Sequence, residues 1–164
     1  VRQHQRNHAY SAVLFIDLDN FKTPNDTRGH DAGDLLLVEA ARRLREAVRD
    51  SDTVARLGGD EFVVLIAELD SETQTSLEQA AQIAGKMQES LMLPYLLTLR
   101  RDEGQDHIQH QCSASIGVAL FSPPEQQVSD ILQRADQAMY RAKQNGRNRI
   151  CFADYPPRRR PSVH

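Results

Sequence analysis

No run of apolar residues in this 164-residue chain is long enough to cross a bilayer as a helix, and no secretory signal peptide is visible. The expected location is therefore cytoplasmic, whether or not the domain belongs to a membrane-anchored longer protein. Cysteine is scarce. Cys112 and Cys151 stand alone, with no Cys or His neighbours at zinc-ligand spacing, so reduced thiols are expected. Neither charge dominates: 20 Lys and Arg against 23 Asp and Glu leave a net charge of -3, which gives no electrostatic ground for nucleic acid as a partner. There is no internal repeat. Gly29-His30-Asp31-Ala32-Gly33 is not followed by Lys-Ser or Lys-Thr, which excludes a P-loop.

What is present is one domain's length of alternating strand and helix patterns. Ala12 to Leu18 is a nearly continuous apolar run closed by acids, the pattern of a central strand buried on both faces, with Asp17 and Asp19 sharing one face at its end. Phe21 to His30, with Pro24 and Gly29, reads as a loop holding at most a turn or two of helix. A helix is expected from Asp31 to about Val48, with Asp31 or Asp34 near its N-terminus, where an acid suits the dipole. Thr53 to Leu57 and Phe62 to Ala67 form a hairpin around Gly58-Gly59-Asp60-Glu61. Leu77, Ala80, Ala81, Ala84, Met87 and Leu91 mark a second helix that stops before Pro94. Two strand-like runs follow, Tyr95 to Leu99 and Ser113 to Phe121, with Arg101 to His110 between them as an extended hairpin loop. Val128, Ile131, Leu132, Ala135, Ala138, Met139 and Ala142 lie on one stripe of a third helix, for which Gly146 supplies the stop, and Arg149 to Phe152 is a last edge strand. The order β-α-β-β-α-β-β-α-β predicts an α+β fold, a sheet flanked by helices. Residues 1–11 read as a truncated lead-in, 12–153 as the domain and 154–164, with its Pro and Arg run, as a linker or disordered tail of a longer protein.

The glycine hairpin carries the chemistry. Paired glycines allow positive φ and close approach of a ligand to the backbone. Two adjacent acids at such a bend contribute nothing to a core; an ordinary solvated turn can carry them, but a cation or a phosphate-bound metal gives them a purpose. Asp17, at the end of the central strand, has a plausible meeting point with Asp60 and Glu61. Hard oxygen ligands of this kind, few and partly open, suit Mg²⁺ that is also held by substrate phosphates, and two such ions would clamp the attacking and leaving oxygens of a phosphoryl-type transfer.

Five segments in order carry a resemblance: Phe15-Ile16-Asp17-Leu18-Asp19-Asn20-Phe21-Lys22, Asn25 to Asp34, Arg56-Leu57-Gly58-Gly59-Asp60-Glu61-Phe62, Ala114-Ser115-Ile116-Gly117-Val118, and Arg134 to Asn148. From about Ala12 to Phe152 the chain resembles the GGDEF family of diguanylate cyclases. The resemblance implies a central, mainly antiparallel sheet of the nucleotidyl-cyclase and polymerase-palm type, with a ferredoxin-like core. It also implies condensation of two GTP into cyclic di-GMP with release of two pyrophosphates, by a homodimer. Carried over by position, Asp17, the carbonyl of Leu18 and Asp60 would bind Mg²⁺ (Mn²⁺ as a substitute), with Glu61 near the second ion. Asp60 would also take the proton of the attacking ribose 3′-hydroxyl. Asn25 and Asp34 would read the guanine edge, for which an amide and a carboxylate are suited, and His30 lies in the same loop. Lys143 and Arg147 would bind the triphosphate, helped by the backbone amides of Asn20, Phe21 and Lys22 and by the open approach at Gly58 and Gly59. Arg49-Asp50-Ser51-Asp52 matches the family's RxxD inhibitory product site, with Lys86 as a rough counterpart of a secondary arginine.

Two features depart from the pattern. The segment Asp-x-Leu-Thr-Gly-Leu-x-Asn-Arg, usual just before the first strand, is not in this sequence, and Pro24 beside Asn25 is unusual. Two other readings stand beside the cyclase. One is a non-catalytic module that binds GTP or cyclic di-GMP and regulates flanking sensor or EAL phosphodiesterase domains. The other is a metal-dependent glycosyltransferase using Asp17-Leu18-Asp19 as its acid pair.

Overall fold

The computed structural model describes residues 9–21, 27–101, 104–122 and 127–157, with the backbone alone for residues 27–31 and 101. Its elements are β1 (Ser11–Leu18), α1 (Thr27–Glu46), β2 (Thr53–Gly58), β3 (Glu61–Ile66), α2 (Thr73–Met92), β4 (Tyr95–Arg101), β5 (Gly104–His110), β6 (Ala114–Phe121), α3 (Val128–Gln144) and β7 (Ile150–Phe152). Five strands form one sheet in the order β2-β3-β1-β6-β7, antiparallel except for the β6–β7 pair. The expected α+β class and mainly antiparallel sheet are found.

β1 is central because its residues can be nowhere else. All eight are buried. Ala12, Leu14, Ile16 and Leu18 point into the larger core with α1 and α2, whereas Val13 and Phe15 point into a smaller core under α3. Burying a Leu, Ile, Val or Phe side chain contributes about 1.5–3 kcal/mol, an upper figure for a compact unfolded chain. The strand thus joins both cores and carries Asp17 and Asp19 to one end of the sheet.

α3 lies unusually close to the sheet. A Cβ built on Gly117 would stand 2.1 Å from the carbonyl oxygen of Ala135 and 2.2 Å from the amide nitrogen of Met139. Only glycine permits that approach, and Ala135, Ala138 and Ala142 keep the helix face shallow enough to use it. The helix closes in a Schellman arrangement: Arg147 N–H reaches Ala142 O at 2.9 Å and Gly146 N–H reaches Lys143 O at 3.4 Å, with Gly146 at φ 119°. Gly146 is the stop expected from the sequence.

α1 is tied down by a buried arginine. Arg43, 9% exposed, donates to the carbonyls of Ser90 (2.7 Å), Leu93 (2.8 Å) and Pro94 (2.8 Å) and lies 3.8 Å above the Tyr95 ring. It thereby adds a donor to the Ser90 carbonyl, which also accepts from Leu93 N–H at 3.2 Å, and supplies one to each carbonyl of the turn into β4. Glu39 orients it, accepting from Arg43 Nε at 2.8 Å and from Arg42 at 2.6 Å.

Several expectations need correction. α1 begins at Thr27, not Asp31, so Gly29 lies inside a helix; an interior glycine costs only about 1 kcal/mol. Asp31 and Asp34 then lie beyond the first turn, where the dipole no longer favours them. Arg101 to His110 is not merely a loop. Gly104–His110 is a strand, paired with β4 in a separate two-stranded ribbon from Tyr95↔His110 to Arg101↔Gly104. Its alternation was hidden because Ile108 is its only apolar residue. Val128 and Ala81, expected on the buried stripes of their helices, are exposed; Val128 is the first residue of α3.

Two measurements test these contacts. Gly117→Ala should destabilise the domain by about 3 kcal/mol by pushing α3 outward, read as a lower urea midpoint with an unchanged slope. Arg42, and then Arg43, hold the Glu39 carboxyl down to about 2 against its ordinary 4.5. A depressed acid contributes stability that is complete above pH 4.5 and is lost as pH falls toward 2. Acid unfolding of Glu39→Gln should lack that part of the slope.

Candidate active site

The glycine hairpin turns at Gly59 and Asp60, between β2 and β3. Gly58 and Gly59 have φ of 150° and 53°, values that L side chains rarely adopt, and nothing lies within 4 Å of a Cβ added to either. The requirement at both is the backbone conformation, and the space beside the turn is open. Arg56 braces the bend by donating to Gly59 O at 3.0 Å. The register of β1 against β3 sets Asp17 opposite Glu61, and Leu18 N–H donates to Asp60 O at 3.2 Å. The three carboxylates are therefore brought to one end of two adjacent strands.

Asp17 is 4% exposed. Burial pushes its carboxyl up to about 6; the Asp60 carboxylate beside it pushes in the same direction, while Lys143 pulls it down. Lys143, reaching across from the end of α3, makes an ion pair with Asp17 Oδ2. The other oxygen, Oδ1, is buried and has no hydrogen-bond partner. An orphaned carboxylate oxygen next to a second acid, with an ammonium group already drawn in, fits a hard divalent cation. Among the described residues no group of three or more His, Cys, Asp or Glu side chains is assembled that could hold a metal.

Asp19, on the same face, meets a different fate. Its oxygens accept from Ser115 Oγ at 2.6 Å, from Ser113 Oγ at 2.7 Å and from the Asn148 backbone N–H at 2.9 Å. So engaged, it does not make an acid pair with Asp17, which removes the ground for the glycosyltransferase reading. Sequence reasoning did not foresee these partners: Ser113 and Ser115 are separated from Asp19 by more than ninety positions, and no local signal links them.

Asn20 is left-handed (φ 54°) and exposed, and Phe21 is half-buried against the larger core. Lys22 and Asn25 lie outside the described residues, as does the side chain of His30. Asp34 is exposed on α1. Arg147 is exposed and left-handed (φ 63°) just past α3.

At the far end of β2, Arg49 and Asp52 bond to each other. Asp52 Oδ2 accepts from Arg49 N–H at 3.0 Å and from Arg49 Nε at 3.3 Å, and Oδ1 accepts from Ala67 N–H at 3.0 Å. Arg49 also donates to Ala67 O. The Asp52 side chain is 1% exposed, that of Arg49 55%. Burial alone would raise the Asp52 carboxyl, but the Ala67 amide and Arg49 reverse this and hold it below the ordinary range. Lys86 is exposed on α2.

The family model for the diguanylate cyclase GGDEF domain matches residues 1–149. The chain is 43% identical over 152 residues to the bifunctional diguanylate cyclase/cyclic di-GMP phosphodiesterase MucR of Pseudomonas aeruginosa, covering 93% of this chain and 20% of that protein. It is 36% identical to diguanylate cyclase A of Treponema denticola, covering 87% and 35%. The chain thus spans between a fifth and about a third of these relatives. Among solved structures, the GGDEF domain of YfiN (TpbB) from Pseudomonas aeruginosa superposes with a TM-score of 0.71 at 42% identity, covering 89% of this chain and 83% of that one.

The raised Asp17 carboxyl has a measurable consequence. An acid whose folded value lies near 6 and whose unfolded value is 3.8 stabilises most below 3.8, and that contribution is lost as pH rises through 6. In EDTA, the stability of the wild type relative to Asp17→Asn should therefore fall between about pH 4 and pH 6, as measured by urea unfolding.

Proposed function

The chain belongs to the GGDEF family of diguanylate cyclases, and on that footing we propose that it joins two GTP molecules into cyclic di-GMP. The observation that carries the reading is the buried, half-satisfied Asp17 carboxylate beside Asp60, at a glycine bend with open space beside its backbone.

In this reading Asp17, the Leu18 carbonyl and Asp60 hold Mg²⁺, with Glu61 near a second ion and Mn²⁺ as a substitute. Such an ion, when bound, would supply positive charge to offset the negative charge developing in a phosphoryl-type transfer. Lys143 leaves Asp17 for a phosphate oxygen when the triphosphate arrives. Arg147 takes a second phosphate, and the amides of Asn20, Phe21 and Lys22 contribute donors, the left-handed Asn20 being suited to such a nest. Gly58 and Gly59 let the nucleotide pass close to the backbone. Asp34, Asn25 and His30 hold the guanine. Asp60 accepts the proton from the 3′-hydroxyl of one GTP as its oxygen bonds to the α-phosphorus of the other. The bond from that phosphorus to the β-phosphate oxygen breaks, pyrophosphate departs, and a second such step closes the ring.

One chain holds one GTP, so two chains must face each other, and pairing is the regulated step. Arg49, Asp52 and Lys86 form a product site that lowers activity as cyclic di-GMP accumulates. Binding there makes Arg49 exchange Asp52 and Ala67 O for guanine and phosphate. Sensor or EAL domains flank the chain in the whole protein, whose cyclase domain works in the cytoplasm.

The test is incubation with GTP and Mg²⁺ followed by chromatography for cyclic di-GMP. The wild type should form it, and Asp60→Ala should lower the rate at least about a hundredfold, a loss of the size seen when a group stabilising transition-state charge is removed. Wild-type rates in the variant overturn the role of Asp60. No product from folded, paired wild type favours a binding module that regulates its neighbours instead.

A further inference from the structure

The reaction assigned above makes no use of Asp19, although the chain keeps this carboxylate 1% exposed at the reacting end of β1. Burying a carboxylate costs several kcal/mol unless hydrogen bonds replace its water. Asp19 has three such bonds, from two segments: Ser115 in β6 with Ser113 just before it, and the Asn148 backbone beyond α3. The third is the informative one. Asn148 and Arg147 are both left-handed, at φ 48° and 63°, a conformation that costs an arginine about 1–2 kcal/mol and an asparagine less. The Schellman bond from Arg147 N–H to Ala142 O starts the turn. The bond from Asn148 N–H to Asp19 anchors its far side to the end of the strand that carries Asp17, and Gln88 on α2 steadies Asn148 through its side chain at 3.1 Å.

We propose that Asp19 is a positioning residue for the triphosphate: by clamping the left-handed Arg147–Asn148 turn to the end of β1, it presents the Arg147 guanidinium beside Asp17 and Lys143. The inference rests on the reading of Arg147 as a phosphate ligand. It assigns to Asp19 no contact with substrate or metal. Loosening the clamp widens the range of positions Arg147 samples, so the loss falls on affinity for the phosphates and spares the base.

The experiment is titration calorimetry of the chain in Mg²⁺ with 3′-deoxy-GTP, which lacks the attacking hydroxyl, and with GMP. Proteins compared are the wild type, Asp19→Asn, Arg147→Ala and the double variant. Asp19→Asn should weaken 3′-deoxy-GTP about tenfold, as expected for a misplaced charge-assisted contact, and GMP less than about twofold. In the Arg147→Ala background it should add less than about twofold, since the two act through one contact. Equal weakening of both ligands, or additive losses, overturns the proposal by reducing Asp19 to a local structural role. Unchanged 3′-deoxy-GTP affinity in Arg147→Ala overturns the phosphate role of Arg147, and this proposal with it. If Arg147→Ala weakens binding and Asp19→Asn does not, the positioning role alone falls. Should Asp19→Asn fail to fold by circular dichroism, Ser113→Ala/Ser115→Ala, which keeps the charge but frees the carboxylate, carries the same comparison.

Discussion

The pair formed by Asp17 and Lys143 joins the last buried residues of the central strand to the last turn of α3. It exists because β1 has no exposed face: a carboxylate at position 17 is driven into the smaller core's rim by the same alternation that buries Val13 and Phe15. Its burial raises the energy of its charged form, its neighbour Asp60 raises it further, and the ammonium group answers only one of its two oxygens. The domain thus keeps a half-satisfied buried acid at a cost to its own stability.

For Lys143 to reach Asp17, α3 must lie nearly on the sheet, and that depends on Gly117. The two cores meet in this arrangement. The larger one, between the sheet and α1 and α2, is braced by Arg43; the smaller one, holding Val13, Phe15, Ala119, Ile131, Ala138 and Ala153, is thin where Gly117 meets Ala135 and Met139 of α3. A thin core is what brings a helix-borne cation to a strand-borne acid. The Schellman turn then reverses the chain within three residues, so that Arg147 follows Lys143 back to the same end of the sheet.

The strands and helices with strong periodicity were legible from their residues. Ala12 to Leu18 could only be a central strand, and the alanine stripe from Ala135 to Ala142 could only be a helix face. Where the reading went astray, the local signal was weak or misleading. The polar strand Gly104–His110 has one apolar residue to betray its alternation, and its partner β4 supplies the hydrogen bonds that define it. The early start of α1 was masked by Gly29, which a helix tolerates at a modest cost.

The sequence by itself determined which chemistry this protein can attempt: the acids, glycines and basic residues are there in their order, and the hydrophobic pattern dictates that Asp17 ends a buried strand. Only the tertiary structure decided how those groups divide their work. Asp17 and Asp19 are two residues apart and share a face, yet one keeps an unsatisfied oxygen beside Asp60 and the other is spent on Ser113, Ser115 and Asn148. Likewise Arg49 and Asp52 are three residues apart, but the Ala67 amide at the far end of β3 keeps Asp52 inside while Arg49 stays at the surface. The reason is physical. Periodicity specifies which side of an element a residue occupies, whereas the partners of a buried polar atom come from segments distant in sequence, and hydrogen-bond geometry selects them only when the chain is folded.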